Sequence, residues 1–373
     1  MSLFFIISFA LLTMAALGLL FYYLFYFLTF NKHTDEDAAM HYPPVSVVIC
    51  ARNNHDNLAE YLPQLLTLDY PSEYEVIVMN DCSWDSTKDL LEVLSLQYPR
   101  LKAHNLSEEN LYQHDKKFPL TLGIKSAQHE TIVFTDADCY LKSSTWLQQM
   151  VQGYSNASTE LVIGYGAYEK TKGLLNNLIR FDASSIALLY FASTLKGHTY
   201  MGTGRNLSYK RSLFFKHKGF ATHNHIQSGD DDLFINRVAT PHNTAIKTQR
   251  ESHTLSVPKK TWTAFFNQKR RHTSTASYYK TRDKAYLSMY YLLQFLFYVG
   301  LFTSIVAQPS LFYFPLSVLF VKTITHLVVY KKTMAKLDEK DLVALVPLYE
   351  IILLVFYAGV HTANLFSKQP RWK

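Results

Sequence analysis

The sequence predicts an α/β fold with a mostly parallel sheet, flanked by helices that are long enough to cross a membrane. Two observations lead to this fold class. In the middle of the 373-residue chain, short β-branched apolar runs alternate with segments of helical spacing, which is the pattern of strand–helix–strand units. At both ends of the chain, apolar and aromatic residues accumulate, and residues 2–30 carry no charged side chain.

The N-terminal segment predicts a membrane anchor. Its uncharged stretch is longer than the ~20 residues that a helix needs to cross a bilayer. It has neither the basic start nor the small-residue cleavage site of a removed signal peptide. We therefore expect residues 1–31 to form a transmembrane anchor.

The predicted strands and helices alternate along residues 44–280, which we expect to form one domain. Four predicted strands are apolar runs with β-branched residues, 45–50, 74–79, 131–135 and 160–168, and a weaker strand covers 101–105. Each predicted helix has apolar residues three and four positions apart, and these segments are 57–68, 86–97, 117–126 and 144–154. The alternation indicates parallel strands joined by right-handed crossovers.

The C-terminal region 285–366 contains two or three further hydrophobic segments, 286–308, 311–330 and 343–366. Basic side chains lie just before the first segment and just after the second, namely Lys280, Arg282, Lys284, Lys331, Lys332 and Lys336. Because basic flanks stay on the cytoplasmic side, we expect the middle domain to lie in the cytosol at the inner membrane. If the last segment spans, its basic tail lies outside, so a re-entrant or interfacial position remains open.

Polar side chains follow three of the predicted strands. Arg52 and Asn53 follow the first strand, Asp81 follows the second, and Asp136 and Asp138 follow the fourth. The carboxyl ends of parallel strands meet at one edge of the sheet, where open α/β sheets bind ligands. Two carboxylates there suit Mg²⁺ or Mn²⁺, and such a cation usually brings substrate phosphates. The alternative for Asp-Ala-Asp is a polar turn that closes a strand.

The amino-acid composition limits the classes of binding partner that we expect. The formal net charge is +7, but the middle domain has no basic helix and no aromatic–basic array, so we expect no nucleic-acid partner. Anionic lipid and an anionic substrate explain the basic surplus better.

Taken in order, the motifs resemble those of the family 2 inverting glycosyltransferases, which have a GT-A nucleotide-sugar domain. The matching segments are Val45-Ser-Val-Val-Ile-Cys-Ala-Arg-Asn53, Val76-Ile-Val-Met-Asn-Asp-Cys-Ser-Trp-Asp-Ser-Thr87, Lys117, Thr135-Asp-Ala-Asp-Cys139, Ser228-Gly-Asp-Asp-Asp-Leu233 and Gln268-Lys-Arg-Arg-His272. The last segment resembles the Gln-x-x-Arg-Trp motif of membrane-embedded synthases, with His272 where that family has Trp.

The resemblance implies a metal-dependent, inverting transfer from a nucleotide sugar, with a UDP-sugar as the expected donor. It places a Mg²⁺ or Mn²⁺ ion on Asp138 and the catalytic base on Asp231 or Asp230. Asp231 has a second interpretation, because Ser228-x-x-Asp231 also fits a capping box that opens a helix at 230–238. The residues that the resemblance implies for the nucleotide sugar are Arg52, Asn53, Asp81, Lys117, Asp136, Gly204, Gln268 and Arg271.

Three functions remain in competition. The first is a membrane-bound glycosyltransferase that acts once on a lipid, lipid-linked or glycan acceptor, which the small number of spans and the missing Trp favour. The second is a processive polysaccharide synthase, which the partial Gln-x-x-Arg motif favours. The third is a non-catalytic membrane protein that binds a nucleotide or a cation, and the retained acidic positions argue against it.

Overall fold

A computed structural model of the chain describes residues 2–35, 42–107 and 115–367. Its centre is a seven-stranded sheet in the order β3-β2-β1-β4-β8-β6-β9, beside a three-stranded sheet in the order β5-β10-β7. The strands are β1 Val45–Ala51, β2 Tyr74–Asp81, β3 Leu101–Leu106, β4 Thr131–Phe134, β5 Cys139–Leu141, β6 Leu161–Ile163, β7 Gly166–Tyr168, β8 Leu207–Lys210, β9 Thr244–Ile246 and β10 Thr254–Ser256.

The large sheet is mostly parallel, as the sequence predicts. Strand β1 lies between β2 and β4 and is parallel to both, with Val45 opposite Tyr74 on one side and Thr131 on the other. Strands β3 and β9 also pair in parallel with their neighbours, whereas β8 runs antiparallel to both β4 and β6. The carboxyl ends of β1, β2 and β4 therefore meet at one edge of the sheet.

Helices cover both faces of this sheet and extend beyond it. They are α1 Leu3–Phe21, α2 Leu28–Lys32, α3 His55–Leu66, α4 Thr87–Gln97, α5 Lys117–Ser126, α6 Trp146–Val151, α7 Leu174–Leu195, α8 Arg211–Lys216, α9 Asp232–Val238, α10 Trp262–Ser274, α11 Thr281–Ala307, α12 Tyr313–Lys336 and α13 Val346–Phe366. Alternate residues of β1 pack against the helices on opposite faces of the sheet. Val47 and Ile49 pack with α3, α4 and α6, and Val48 and Cys50 pack with α5 and α7.

Two features differ from the sequence prediction. The single strand expected at 160–168 divides into β6 and β7, which belong to different sheets. The chain turns between them at Gly164, where an added Cβ would lie 2.5 Å from Asn206 Nδ2. The sequence prediction also lacks α7, which is buried along most of its length. A helix that is buried on nearly all sides has no single apolar face and gives only a weak periodic signal.

Five helical segments are long and apolar enough to cross a membrane among the described residues: Leu3–Lys32, Leu174–Leu195, Thr281–Ala307, Tyr313–Lys336 and Lys340–Phe366. The apolar window of Leu174–Leu195 is 78% buried inside the protein, so we interpret α7 as a core helix. The other four windows are at most 33% buried and leave apolar side chains uncovered. A continuous apolar exterior of this kind suits a lipid environment.

The ends of two of these segments lie together next to the sheet domain. Lys336, at the end of α12, donates to the carbonyls of Phe30 and His33, close to the end of α2. At the opposite end of the bundle, the backbone N–H of Ser2 donates to Gln308 Oε1 at 3.0 Å, just after α11. The segment formed by α1 and α2 therefore runs antiparallel to α11, with its C-terminal end beside the sheet domain.

A buried polar cluster joins the last three long helices. Glu350 in α13 accepts hydrogen bonds from Gln294 Nε2 and Tyr298 OH in α11, each at 3.0 Å, and contacts Lys322 in α12. His326 Nδ1 lies 3.3 Å from the same carboxylate. A buried carboxylate needs partners of this kind, so the cluster fixes the positions of α11, α12 and α13 relative to one another.

Gly300 in α11 allows close contact with α1. A Cβ at this position would lie 2.9 Å from both the backbone N and Cα of Leu12, and backbone atoms cannot move aside cheaply. We expect Gly300→Ala to lower the free energy of unfolding by about 1–3 kcal/mol, the usual cost of overpacking. Thermal unfolding of the purified protein in detergent measures the effect.

Gly359→Ala in α13 is the matched control, because its added Cβ would meet only Phe266 at 3.7 Å, an ordinary contact distance. Equal melting temperatures for Gly300→Ala and the wild type would show that α1 and α11 do not pack in this way.

Candidate active site

One large cavity opens at the carboxyl edge of the sheet and has a volume of about 1300 Å³. The residues predicted for the site that line it are Arg52, Asn53, Asp136, Asp138, Gly204, Asp230, Asp231, Gln268 and Arg271. The cavity continues between three long helices, where its lining is mostly apolar and aromatic, with two polar side chains, Ser288 and His361: Ala183, Ile186, Leu189, Tyr190, Leu287, Ser288, Tyr291, Leu354, Tyr357, Ala358 and His361. A polar end and an apolar end thus share one space.

Asp136 and Asp138 form the part of the site that best fits a divalent cation. Ligand atoms of Asp136, Asp138 and Cys139 lie within 4.8 Å of one another. The two carboxylates suit a hard cation such as Mg²⁺ or Mn²⁺. The thiol does not suit it, because Cys139 Sγ is buried 3.0 Å from Ser256 Oγ and burial raises the pKa of Cys139. The donor set is therefore an oxygen site with positions left for phosphate oxygens.

The two aspartates differ in their electrostatic environment. Burial alone would raise the pKa of Asp136, but Lys116 Nζ at 2.5 Å holds that pKa below its ordinary value. Burial and the neighbouring Asp136 raise the pKa of Asp138. Of the two aspartates, Asp138 is therefore the one whose ionised form a bound cation would stabilise most.

Lys116, and not Lys117, is the lysine that faces the cavity. Its Nζ lies 2.5 Å from Asp136 and 3.6 Å from Asp230, so it bridges the metal-site loop and the acidic loop. The side chain of Lys117 is 1% exposed, donates to the carbonyl of Ile226 and lies 3.8 Å from Asp115. Lys117, which the sequence predicted for the nucleotide site, therefore does not line the cavity, because helix α5 begins there and its rotation turns Lys117 inward.

The acidic loop holds Asp231 by two backbone N–H groups. Its Oδ2 accepts from Gly204 and its Oδ1 accepts from Asp232, each at 2.7 Å. Asp231 is itself the N-cap of α9, so the capping box predicted for Ser228 and a helix start at 230 are wrong. Burial, together with Asp230 and Asp232, raises the pKa of Asp231 to about 8.

Asp230 and Asp232 have different partners from Asp231. Asp230 points to Lys116, as described above. Asp232 is buried and accepts from the hydroxyl of Tyr279 at 2.6 Å and from the hydroxyl of Thr275. These contacts connect the acidic loop to the segment between α10 and α11. Among the described residues, Asp231 is therefore the carboxylate of the three that forms no ion pair and accepts no hydrogen bond from a side-chain hydroxyl.

The loops after β1 and β2 form the opposite wall. Arg52 lies 3.8 Å from the buried Asp81 and 5.7 Å from the centre of the exposed Trp84 ring. Asn53 adopts φ +50°, its N–H donates to Ser83 Oγ at 2.8 Å, and its Oδ1 accepts from Trp84 N. Asp81 therefore supports Arg52, and Arg52 and Asn53 face the cavity.

Helix α10 brings Gln268 and Arg271 to the cavity with His272 beside them. Gln268 Nε2 donates to the hydroxyl of Tyr168 at 3.3 Å. Lys269 turns away from the cation site and contacts Asp182 in α7, which also accepts from Tyr357 OH at 2.6 Å. The helix therefore links the polar end of the cavity to α7 and α13. The motif placed Gln268 and Arg271 in the site, but it could not indicate this link.

Comparison with known sequences gives a family for nearly the whole chain. The sequence model of Glycosyl transferase family 21 matches residues 10–373. The beta-monoglucosyldiacylglycerol synthase of Synechocystis sp. is 26% identical over 149 residues, which is 40% of this chain and 29% of that protein. The glycosyltransferase AglE of Haloferax volcanii is 31% identical over 123 residues, which is 33% of this chain and 39% of that protein. The matched segments thus span less than two-fifths of either relative.

A solved structure has the same fold along the whole chain. The mannosyltransferase PcManGT from Pyrobaculum calidifontis, in complex with GDP-Man and Mn²⁺, superposes with a TM-score of 0.65 at 20% sequence identity. The superposition covers 98% of this chain and 100% of that one, so the likeness includes the helices outside the sheet domain.

Proposed function

Because the chain belongs to glycosyl transferase family 21 and is therefore a glycosyltransferase, we propose that it moves one sugar from a nucleotide sugar to a hydroxyl of a membrane lipid or lipid-linked acceptor. The matching family is 21 and not the family 2 that the motifs resemble. That resemblance is confirmed at the level of a GT-A-like glycosyltransferase.

The single observation that carries the acceptor proposal is the continuity of the cavity. Its polar end contains Asp138 and Asp231, and its other end lies between α7, α11 and α13. A lipid acceptor can keep its chains among the apolar walls formed by Leu287, Tyr291 and Leu354 while its head group reaches the carboxylates. One relative is named a beta-monoglucosyldiacylglycerol synthase, which supports the same acceptor class.

The residues divide the chemistry between donor and acceptor. Asp138, with Asp136, would hold a divalent cation, which when bound neutralises the charge of the departing nucleoside diphosphate. Lys116 and Arg271 add fixed positive charge at the same end of the cavity. Asp231 takes the proton of the acceptor hydroxyl as it attacks. One in-line displacement inverts the anomeric centre and needs no second carboxylate as nucleophile.

We assign the base to Asp231 because of its partners. Its two backbone hydrogen bonds fix the direction of the carboxylate, and its raised pKa makes it a better proton acceptor than an ordinary aspartate. Asp230 instead faces Lys116, whose Nζ lies 3.6 Å from its carboxylate, so Asp230 is engaged in an ion pair.

The membrane arrangement follows from the helices. Segments 3–32, 281–307 and 313–336 would span the inner membrane, with the sheet domain on the cytosolic side, where the basic residues Lys284 and Lys332 lie. Helix α13 begins against α7, where Asn177 Nδ2 donates to Tyr349 OH at 3.2 Å, and it ends against α10, where Arg270 Nε donates to Asn364 Oδ1 at 3.0 Å. Both of its ends contact the catalytic domain, which favours an interfacial or re-entrant position.

A donor screen tests the proposed function. Purified protein in detergent is mixed with Mn²⁺ and a panel of UDP- and GDP-sugars, and thermal shift identifies the donor that binds. GDP-sugars belong in the panel because the Pyrobaculum complex contains GDP-Man. Incubation of that donor with lipid should release the nucleoside diphosphate and yield a lipid carrying one sugar. A ladder of longer products would favour the processive synthase, and failure of every nucleotide sugar in the panel to bind would contradict the proposed function.

The base assignment predicts a pH dependence. Below pH ~8 the carboxyl of Asp231 carries its proton and cannot act as a base, and above that pH it is ionised. Burial and the neighbouring Asp230 and Asp232 raise this pKa, and the hydrogen bond from Gly204 N–H and the charge of Lys116 lower it. We therefore expect kcat/KM at saturating Mn²⁺ to rise about tenfold per pH unit below pH ~8 and to level above it. A profile that is flat between pH 6 and pH 9 would contradict this assignment.

A further inference from the structure

Arg205 is a cation in the cavity to which none of the sequence motifs gave a role. It lies in the loop between α7 and β8, one residue after Gly204, and lines the same space as Asp136 and Asp138. Its Nη1 lies 3.4 Å from Ser256 Oγ, which in turn lies 3.0 Å from Sγ of Cys139, the residue that follows Asp138, so Arg205 stands close to the two aspartates.

The partners of Arg205 are neutral. Its guanidinium lies over the ring of Tyr168 at 4.2 Å from the ring centre, and Nη1 donates to Ser256 Oγ at 3.4 Å. Among the described residues, no carboxylate lies within 4.0 Å of it. A guanidinium that is held inside a cavity by a ring and a hydroxyl keeps most of its donors available for an anionic ligand.

The loop around Arg205 is rigid. The buried Asn206 donates to the carbonyls of Tyr165 and Ser252 at 2.9 and 2.7 Å and accepts from Trp146 Nε1 at 3.1 Å. The carbonyl of Arg205 accepts from Thr254 Oγ1 at 2.9 Å. The guanidinium is therefore fixed in position before any ligand enters.

The neighbouring strand leaves room for this side chain at Gly166. A Cβ at Gly166 would lie 2.4 Å from Arg205 Nε, so any other residue there would displace the guanidinium. On the other side of Arg205, the N–H of Gly204 holds Asp231. The same loop thus places a cation beside the metal aspartates and directs the base.

We infer that Arg205 is a catalytic residue that binds the β-phosphate of the donor and stabilises the diphosphate as it leaves. The inference rests on the proposed function. Arg205 would act beside Lys116 and Arg271 on the anion, and its fork of N–H donors fits phosphate oxygens. Charge that develops on the leaving group meets a cation already in place, so no reorganisation opposes the reaction.

The test compares nucleoside diphosphates with nucleoside monophosphates. Isothermal titration calorimetry with Mn²⁺ measures the affinity of wild type, Arg205→Met and Arg205→Lys for UDP, UMP, GDP and GMP. For whichever nucleobase the wild type binds, uracil or guanine, Arg205→Met should weaken diphosphate binding roughly ten- to hundredfold, which is the contribution of a charged hydrogen bond. It should leave monophosphate binding unchanged. Arg205→Lys should lie between wild type and Arg205→Met.

Two further variants control this test. Gly166→Ala keeps Arg205 but displaces its side chain, so it should also weaken diphosphate binding selectively. Arg211→Met removes an arginine of similar surroundings outside the cavity, since Arg211 lies 4.9 Å from the centre of the Phe215 ring and donates to the carbonyl of Ile124. Its nucleotide affinities should equal those of the wild type.

The outcomes are distinct. Equal loss of diphosphate and monophosphate affinity in Arg205→Met, or no loss of either, would overturn the inference while leaving the proposed function in place. Failure of the wild type to bind any nucleoside diphosphate would overturn the proposed function itself, and this inference with it.

Discussion

Asp231→Asn is expected to keep donor binding and to lose sugar transfer. The amide can still accept from Gly204 N–H through its oxygen, so the loop between α7 and β8 should keep its shape. It cannot take the proton of the acceptor hydroxyl, and loss of a general base usually lowers the rate roughly 10²–10⁴-fold. Transfer kinetics with a fixed donor and acceptor measure the loss, and donor binding by calorimetry measures what remains.

Asp230→Asn provides the comparison. Asp230 faces Lys116 and is not the base in this assignment, so the variant should retain more activity than Asp231→Asn. If Asp231→Asn turned over normally and Asp230→Asn were inactive, the base would be Asp230 and Asp231 would be only the N-cap of α9.

Asp138→Ala is expected to abolish the metal dependence of nucleoside-diphosphate binding. The variant removes one of the two carboxylates that fit a hard cation, and Asp136 is already engaged by Lys116 at 2.5 Å. Calorimetric titration of UDP and GDP, with and without Mn²⁺, should show tight binding only for the wild type with metal.

Asp115→Ala is a control for the loss of a carboxylate near the site. Asp115 is buried beside Lys117 and does not line the cavity, so Mn²⁺ should still strengthen diphosphate binding in that variant. If Asp138→Ala bound nucleoside diphosphates with undiminished Mn²⁺-dependent affinity, Asp138 would not be a metal ligand.

The sequence indicated the parts of this protein that depend on local pattern. The parallel strands and the aspartates at their carboxyl ends follow from short apolar runs and from the edge where parallel strands meet. Asp136, Asp138 and Asp231, which the sequence indicated for one site, line one cavity. Their chemical roles remain predictions.

What the sequence did not indicate depends on how elements pack in three dimensions. Lys116 and Lys117 are adjacent, and only the rotation of α5 decides which one faces Asp136. Arg205 directly follows the predicted site residue Gly204, but its position over Tyr168 depends on the pairing of β7 with β10, which the sequence does not indicate. Helix α7 is buried on most sides and gives no amphipathic pattern.

In the membrane region, too, local sequence pattern indicated some features and three-dimensional packing determined others. Uncharged length was enough to indicate segments that could span. The position of α13 required its contacts, because the ion cluster around Glu350 holds its first half in the bundle while Arg270 holds its end against the catalytic domain. A linear sequence pattern contains no information about those partners.

Transfer of a labelled sugar into lipid tests the central claim most directly. Wild type and Asp231→Asn, reconstituted in liposomes with Mn²⁺, receive the radiolabelled nucleotide sugar identified by the donor screen, and the label in the organic phase is counted over time. We predict that the wild type moves label into a lipid carrying a single sugar and that Asp231→Asn, although it binds the donor, does not. Label that stays in the aqueous phase with the wild type, as free sugar or intact donor, would contradict a lipid-directed glycosyltransferase.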